Sequence, residues 1–159
     1  MLNKIYVALA QSIIIYCIPV WGGAAKTKFI ELERAQRSLL KVMYFKSYRF
    51  PSDLLYSTCQ LLSVRKLYIV QVVLKLHKTL NYEQSILSKR IKYNIAKVPL
   101  TRSSFAGHQY NGRSAHLYNS INKILDIYPL KFYNCKKRLT EWIKTKTYEE
   151  TEALLHVIS

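Results

Sequence analysis

The chain has 159 residues, half of them hydrophobic, and its 25 Lys and Arg against 9 Asp and Glu give a formal net charge of +16. This apolar content excludes an intrinsically disordered chain, and the length suits one domain or two small subdomains that share a core. Gly and Pro number four each, too few for the tight turns of an all-β protein, so the composition predicts an α-rich fold. The positive charge indicates a polyanionic partner such as nucleic acid, or an anionic membrane.

The N-terminal segment 2–18 is predicted to be an apolar helix that ends before Pro19, because proline disfavours helical geometry in the residue before it. We expect its buried face to be formed by five residues at helical spacing: Leu2, Ile5, Leu9, Ser12 and Tyr16. The apolar run between Lys4 and the small residues at 22–25 leaves a signal peptide or a membrane anchor open as alternatives.

Segment 28–43 is the clearest helix in the sequence. We expect its core face to consist of Phe29, Leu32, Gln36, Leu40 and Met43. Arg34, Arg37 and Lys41 lie within roughly 60° of one another on the far side, since helical residues are about 100° apart. This stripe could follow phosphates, or it could be a solvated face on which Arg37 pairs with Glu33. The surplus of sixteen positive charges favours phosphate binding, because most basic residues lack an acidic partner.

Residues 44–51 form an aromatic and basic loop. Its rings alternate with Lys46 and Arg49, so the rings could stack on unpaired bases while the cations hold the backbone. In the alternative, Phe45 and Phe50 are buried and only Tyr48 is exposed.

Two helices are predicted next, over 53–62 and 64–80, with Ser52 and Ser63 as their N-caps. The second should be the central buried helix, because its polar stripe consists only of Tyr68, Gln71, Lys75 and Lys78. A basic helix over 82–96 and a loop over 97–115 follow. In that loop Arg102 and Arg113, with Lys97 upstream, could bind phosphate, or the loop could be a plain connection.

Three more helices are predicted, over 115–128, 130–144 and 148–158. The middle one carries a basic face and an apolar face. The basic face consists of Lys131, Lys136, Lys137, Arg138 and Lys144, and we expect Tyr133, Leu139, Trp142 and Ile143 in the core. The sequence therefore predicts an all-α fold, an irregular bundle of about six to seven helices with one long loop near 97–115.

The sequence lacks the common catalytic motifs. The two aspartates, Asp53 and Asp126, are far apart in the chain and form no Asp-Asp or Asp-x-Asp pair for a two-metal site. The four histidines form no HExxH and have no zinc-ligand spacing to the three cysteines, and no Gly-rich phosphate loop is present. No catalytic residue, metal or cofactor is predicted, although a Cys–His pair brought together by folding stays open. The cysteines show no disulfide pattern, which favours a reducing compartment.

A series of motifs runs along nearly the whole chain in one order. It consists of Tyr6-x-x-Leu9-x-x-Ser12-x-Ile14-x-Tyr16-x-x-x-x-Trp21-Gly22, Leu32 with Gln36, Pro51-Ser-Asp-Leu-Leu-Tyr56, Leu62-Ser-Val-Arg-Lys-Leu-Tyr68, Arg102-Ser, Arg113-Ser, Leu117-Tyr-Asn119, Tyr128-Pro-Leu, Phe132, Lys136-Lys-Arg-Leu139 and Trp142. This series resembles the region downstream of the polymerase core in non-LTR retrotransposon reverse transcriptases of the Jockey-like type.

The resemblance implies a thumb-like helical subdomain over 1–96, a linker over 97–115 and a C-terminal helical subdomain over 116–159, or one continuous domain. In that family the catalytic aspartates belong to the palm, which precedes this region, so the chain is expected to be inactive alone. The implied partners are the palm and a template–primer RNA/DNA duplex, bound through phosphates. The expected contacts are Arg34, Arg37 and Lys41, then Lys46, Arg49, Arg102 and Arg113.

The resemblance also makes segment 2–18 a thumb helix that exposes apolar surface where a palm would pack. It therefore implies an intracellular protein of the nucleus or cytoplasm, with no membrane partner and no signal peptide. Three other hypotheses stay open. The chain could be a basic helical module that binds a protein partner, a small secreted or membrane-attached basic protein, or a decayed, non-functional remnant of a retrotransposon.

Overall fold

The computed structural model describes residues 1–21, 26–83, 95–99 and 110–156, and every regular element in these ranges is helical. The all-α prediction is therefore confirmed. The helices are α1 (Leu2–Tyr6), a π-helical turn (Val7–Gln11), α2 (Ser12–Trp21), α3 (Lys26–Met43), α4 (Ser52–Cys59), α5 (Val64–Glu83), α6 (Tyr110–Leu125), α7 (Phe132–Thr145) and α8 (Tyr148–His156). The chain forms two compact units, Met1–Tyr68 and Ile69–Ser159, whose boundary falls inside α5.

Pro19 does not end the N-terminal helix, which continues to Trp21. The prediction that it stops before Pro19 is wrong. The effect of proline on the preceding residue is a tendency that packing can override, and Ile18 is fully buried.

The predicted buried face of α1 and α2 is also wrong. Leu2, Ile5, Leu9, Ser12 and Tyr16 are all exposed, and we call them the N-terminal apolar stripe. The buried face instead contains Tyr6 and Ile18. The π-helical turn Val7–Gln11 interrupts the 3.6-residue period from which this face was predicted, and two hydrogen bonds of Asn3 anchor the observed side. Asn3 Nδ2 donates to the Cys59 carbonyl at 2.8 Å, and its Oδ1 accepts a hydrogen bond from the Tyr44 hydroxyl.

The core of the first unit is built around α3 and α4. Tyr6, Leu40, Leu55 and Cys59 are buried together, and partly buried residues pack around them: Ala10, Met43, Tyr44, Phe50, Tyr56 and Leu61. The predicted core face of α3 is confirmed, with Phe29, Gln36 and Leu40 buried and Leu32 and Met43 partly buried. The Phe29 ring meets the Tyr68 ring edge-on, with 5.8 Å between their centroids.

One of the two predicted N-caps is found in the structure. Ser52 lies inside the first turn of α4, and the capping position belongs to Pro51 without a side-chain hydrogen bond, so that prediction is wrong. Ser63 does cap α5, since the Lys66 amide is 3.4 Å from Ser63 Oγ. Helix α5 is buried along most of its length, as predicted, but Tyr68 of its predicted polar stripe is buried as well.

The predicted loop over 97–115 does not extend to residue 115. Residues 95–99 are not helical, but α6 begins at Tyr110, so the loop prediction is wrong for 110–115. Ser114 and Ala115, in the second turn of this helix, are both buried, so the helix packs against the unit from near its start. The residues between 99 and 110 lie outside the described part of the chain, as do 84–94 of the predicted basic helix. The subdomain boundary proposed at 97–115 stays a prediction.

Helices α7 and α8 complete the second unit. Cys135, Leu139 and Ile143 are buried on α7, whereas Tyr133 is 74% exposed and does not belong to the core as predicted. Tyr133 lies two residues before Cys135, about 200° around the helix from it, and therefore on the face opposite the buried side chains. Helix α8 begins with a capping box, in which the Thr147 amide donates to Glu150 Oε2 at 2.7 Å and the Glu150 amide donates to Thr147 Oγ1 at 3.2 Å.

Candidate nucleic-acid interface

The predicted cations of α3 lie on the surface of the first unit. Arg34 is exposed, and Arg37 and Lys41 are partly exposed. Glu33 is buried and bound by Arg65 of α5, with Nε 3.2 Å from Oε1 and Nη2 3.3 Å from Oε2. The sequence left open a pair between Glu33 and Arg37. In the structure both carboxylate oxygens of Glu33 bind the Arg65 guanidinium instead.

Lys41 connects the α3 stripe to the aromatic loop. Its Nζ donates to the Tyr48 carbonyl at 2.5 Å and lies 5.5 Å from the centroid of the Tyr48 ring. Lys46 Nζ lies 5.2 Å from the centroid of Phe50, and Arg49 is exposed. We call Arg34, Arg37, Lys41, Lys46 and Arg49 the α3 cationic surface. Five of the seven predicted binding residues thus belong to one helix and the loop that follows it.

Two rings of the loop point into solvent. Phe45 is 93% exposed and Tyr48 is 89% exposed, whereas Phe50 packs against the core of the first unit. The alternative prediction, in which Phe45 and Phe50 are both buried, is therefore wrong for Phe45 and correct for Phe50, which is partly buried. The sequence could not separate them, because Phe45 and Phe50 are five residues apart in a loop, where no helical period indicates which ring faces solvent.

The C-terminus of α3 sets the direction of Phe45. The Lys46 amide donates to the Lys41 carbonyl at 2.8 Å, and the Phe45 amide donates to the Val42 carbonyl at 3.2 Å. These two hydrogen bonds form a Schellman motif, in which the first residue after the helix C-cap takes the left-handed helical conformation. Phe45 takes that conformation with φ of 53°. Glycine is the usual residue here, because a Cβ atom is unfavourable at positive φ.

Gln36 fixes the interior beneath this surface. Its Nε2 donates to the Tyr6 hydroxyl at 2.8 Å and to the Leu62 carbonyl at 3.0 Å. Its Oε1 accepts from the Tyr56 hydroxyl at 2.8 Å and from the Val64 amide at 2.9 Å. All four hydrogen-bonding positions of the amide are used, so one side chain connects α1, α4 and the start of α5 to α3.

Burial raises the pKa of Tyr6 and Tyr56, so both phenols of this network stay protonated at neutral pH. The charge of Arg37 acts in the opposite direction on Tyr56 and lowers its pKa, but the desolvation is larger. From the sequence, Gln36 was predicted on the core face of α3, but no hydrogen-bond partners were predicted for it. Its burial among apolar neighbours was the available signal for a polar network.

The second unit contains one of the two remaining predicted residues. Arg113 lies in the first turn of α6 and is partly buried, while Arg102 lies outside the described residues. A shallow cavity of about 350 Å³ lies between residues 96–98 and α6, and Lys97, His116 and Lys123 are among the side chains that line it. Sequence analysis had singled out only Lys97 of these three.

Asn119 holds the wall of this cavity in place. Its Nδ2 donates to the Ala96 carbonyl at 2.9 Å, and its Oδ1 accepts from the Ala96 amide at 3.0 Å. The Asn119 side chain therefore satisfies both backbone groups of Ala96, as the backbone of a neighbouring β-strand does in a sheet. This anchors the segment that carries Lys97 to α6.

Helix α7 carries a second basic surface in the same unit. The five cations predicted for it are all exposed: Lys131, Lys136, Lys137, Arg138 and Lys144. They were not among the predicted binding residues, although they are as accessible as Arg34. The structure thus offers α7 as a comparison surface of similar charge density.

The buried histidine of the second unit is held by two hydrogen bonds. His77 Nδ1 is 2.8 Å from the Tyr118 hydroxyl and Nε2 is 3.0 Å from the Leu130 carbonyl. Because a carbonyl only accepts, Nε2 carries the proton and Nδ1 accepts from Tyr118 in the neutral ring. Burial lowers the pKa of His77, and the hydrogen bond to Leu130 opposes this shift.

The described side chains give little support for nucleophilic or metal chemistry. Burial raises the pKa of the Cys135 thiol to about 11 and also raises that of Cys59, so both stay protonated at neutral pH. Within residues 1–21, 26–83, 95–99 and 110–156, no three His, Cys, Asp or Glu side chains group as metal ligands. Over the same ranges, no helix has both the length and the apolar content needed to cross a bilayer.

Comparison of the chain with protein-family models, curated proteins and solved structures found no match.

Proposed function

We propose that the chain binds the phosphate backbone of nucleic acid without sequence preference, through the α3 cationic surface. In this proposal it is the thumb and C-terminal helical region of an RNA-directed DNA polymerase, non-catalytic alone, and its ligand is a template–primer duplex. The observation that carries the proposal is the contact of Lys41 with Tyr48, which joins the arginines of α3 to the basic loop.

The charge balance of the first unit supports this function. Residues 1–68 contain ten Lys and Arg and three acidic residues, a formal net charge of +7. Glu33 is engaged by Arg65, and Glu31 lies 3.1 Å from Lys28. The two glutamates of α3 are thus occupied by other cations, and the α3 cationic surface keeps its charge for phosphates.

Salt dependence of binding tests the proposal. An RNA–DNA heteroduplex of about 20 base pairs is titrated by fluorescence anisotropy between about 50 and 200 mM salt. Log affinity falls as log salt rises, and each lost phosphate contact reduces the steepness of this fall by about one. The variant Arg34→Gln/Arg37→Gln/Lys41→Gln should therefore reduce the steepness by about two to three.

The matched control is Lys136→Gln/Lys137→Gln/Arg138→Gln on α7, which removes the same charge from another exposed face. We expect this variant to keep most of the slope. Equal losses in both variants would mean that binding follows total charge and would refute the assignment to α3. An unchanged slope in the α3 variant would refute it as well.

A second candidate function, a protein-interaction module, is favoured by the N-terminal apolar stripe. Leu9 and Tyr16 are exposed on this stripe, together with Ile13 beside it. An apolar helix face of this kind is typical of a protein interface. Capture of a protein that persists after nuclease treatment and is lost in Leu9→Lys would support this function. Capture that nuclease abolishes would support nucleic-acid binding.

A further inference from the structure

Phe45 combines an unfavourable backbone with an unburied ring. It holds φ of 53° at the Schellman position of α3, where glycine fits best, and its side chain is 93% exposed. A ring in solvent contributes almost no burial to folding, so packing does not explain why a bulky residue occupies this position. Backbone strain of this kind is typical of positions where the side chain serves a ligand.

Tyr48 presents a second ring in the same loop. Lys41 lies over this ring and also holds the Tyr48 carbonyl, which fixes both its backbone and one of its faces. The ring is nevertheless 89% exposed, so the other face is open to solvent. Lys46 and Arg49 stand between and beside the two rings in sequence.

We propose that Phe45 and Tyr48 stack on unpaired bases, so that this loop takes a single-stranded segment of RNA or DNA while Lys46 and Arg49 hold its phosphates. The inference rests on the proposed function and narrows its ligand from a duplex to a duplex with a single-stranded extension. Stacking needs bases that are not enclosed in a helix, whereas the arginines of α3 serve either form.

The composition of the loop favours nucleotides over a lipid surface. Residues 44–50 contain no leucine, isoleucine or valine. Their exposed side chains are two flat rings, one cation and one hydroxyl: Phe45, Tyr48, Arg49 and Ser47. Flat rings bind bases through their faces regardless of sequence, and neighbouring cations bind the charged backbone. The same loop lacks the aliphatic side chains that commonly accompany aromatic residues in membrane insertion.

The test compares one RNA–DNA duplex with blunt ends and the same duplex extended by about six unpaired nucleotides, within the range that small binding modules cover. Wild type should bind the extended duplex on the order of tenfold more tightly. Phe45→Ala and Tyr48→Ala should each lose most of this preference while keeping affinity for the blunt duplex. Phe45→Trp and Tyr48→Phe should keep the preference, because a ring remains.

Tyr16→Ala is the matched control, since Tyr16 is 86% exposed in the same unit but has no lysine or arginine between positions 4 and 26. It should leave the preference intact. Phe45→Trp gives a second readout, because stacking should quench its emission when the extended duplex is added and not when the blunt one is.

The outcomes separate the two proposals. Absence of binding to either duplex overturns the proposed function and this inference together. Equal affinity for both duplexes, sensitive to the α3 charges, overturns only the inference. Binding to phosphatidylserine vesicles that Phe45→Ala abolishes, without any preference for the extension, also overturns it and assigns the rings to a lipid surface.

Discussion

Gln36 is the residue on which the first unit most depends. Replacing it with leucine removes Oε1 and Nε2. The Val64 amide then loses its acceptor, and the Leu62 carbonyl loses its donor. Each unsatisfied buried group costs about 1–3 kcal/mol, so we expect Gln36→Leu to lower the free energy of unfolding by about 3 kcal/mol or more. Urea denaturation followed by circular dichroism measures this change.

The control is Gln71→Leu, at a partly exposed glutamine of α5. It should change the free energy of unfolding by no more than about 0.5 kcal/mol. Comparable losses in the two variants would contradict the role given to the Gln36 network.

His77 predicts a loss of stability in mild acid. Its folded-state pKa lies below its unfolded value of about 6.5, so below that pH the unfolded chain binds a proton that the folded chain resists. Stability from this group is complete above about pH 6.5 and falls as the pH drops toward the folded pKa. The melting temperature should therefore decrease from about pH 7.5 to about pH 5.5.

The variants His77→Gln and His116→Gln test this assignment. His77→Gln should lower stability at neutral pH but flatten the pH dependence, because no group is left to be protonated there. His116→Gln is the matched control at a partly exposed histidine of α6, and the acid-induced loss should persist in this variant because His77 is still present. A flat profile in wild type, or flattening by His116→Gln instead, would contradict the prediction.

At the scale of elements, we expect Phe45 at the end of α3 to lower the free energy of unfolding while its ring serves the proposed binding of bases. Phe45→Gly should raise the free energy of unfolding by about 0.5–1 kcal/mol, because the left-handed penalty of about 1–2 kcal/mol is removed and part of it is offset by the flexibility of glycine. Thermal unfolding measures the change.

Phe45→Ala is the matched control for this prediction, because it removes the exposed ring but keeps the Cβ atom. Its stability should stay within about 0.5 kcal/mol of wild type. Destabilisation by Phe45→Gly would show that the ring contributes to folding, in disagreement with its exposure.

For the whole molecule, the net charge of +16 predicts that salt stabilises the fold. Excess positive charge repels itself in the compact state, and added salt screens this repulsion. The melting temperature should rise between about 20 and 300 mM sodium chloride, where the Debye length shortens markedly. Surface pairs such as Lys146 with Glu150, 2.7 Å apart, are weakened by the same salt, but exposed pairs of this kind contribute little to stability.

The variant Arg34→Gln/Arg37→Gln/Lys41→Gln, which has three fewer positive charges, should be more stable than wild type at low salt and should gain less from added salt. A melting temperature that falls with salt would mean that attractive pairs outweigh the repulsion, contrary to this prediction.

How far the sequence predicted the α3 cationic surface is best seen within α3 and its loop. Periodicity placed Arg34 and Lys41 outside the apolar face that contains Leu40, and the structure agrees, because one amphipathic helix needs only a single apolar side. The same reasoning failed for α1 and α2, where Leu9 and Tyr6 lie on different apolar sides. It also left Phe45 and Phe50 undecided, since a loop has no period from which exposure can be predicted.

Sequence alone determined the helical class, the surplus of cations and the position of the clearest amphipathic helix, because these follow from composition and from residues a few positions apart. The tertiary structure alone decided which apolar side of the N-terminal helix is buried, that Glu33 binds Arg65, and that Lys41 reaches Tyr48. These outcomes depend on hydrogen bonds and ion pairs whose partners lie on other elements or beyond the end of a helix. No local pattern contains that information.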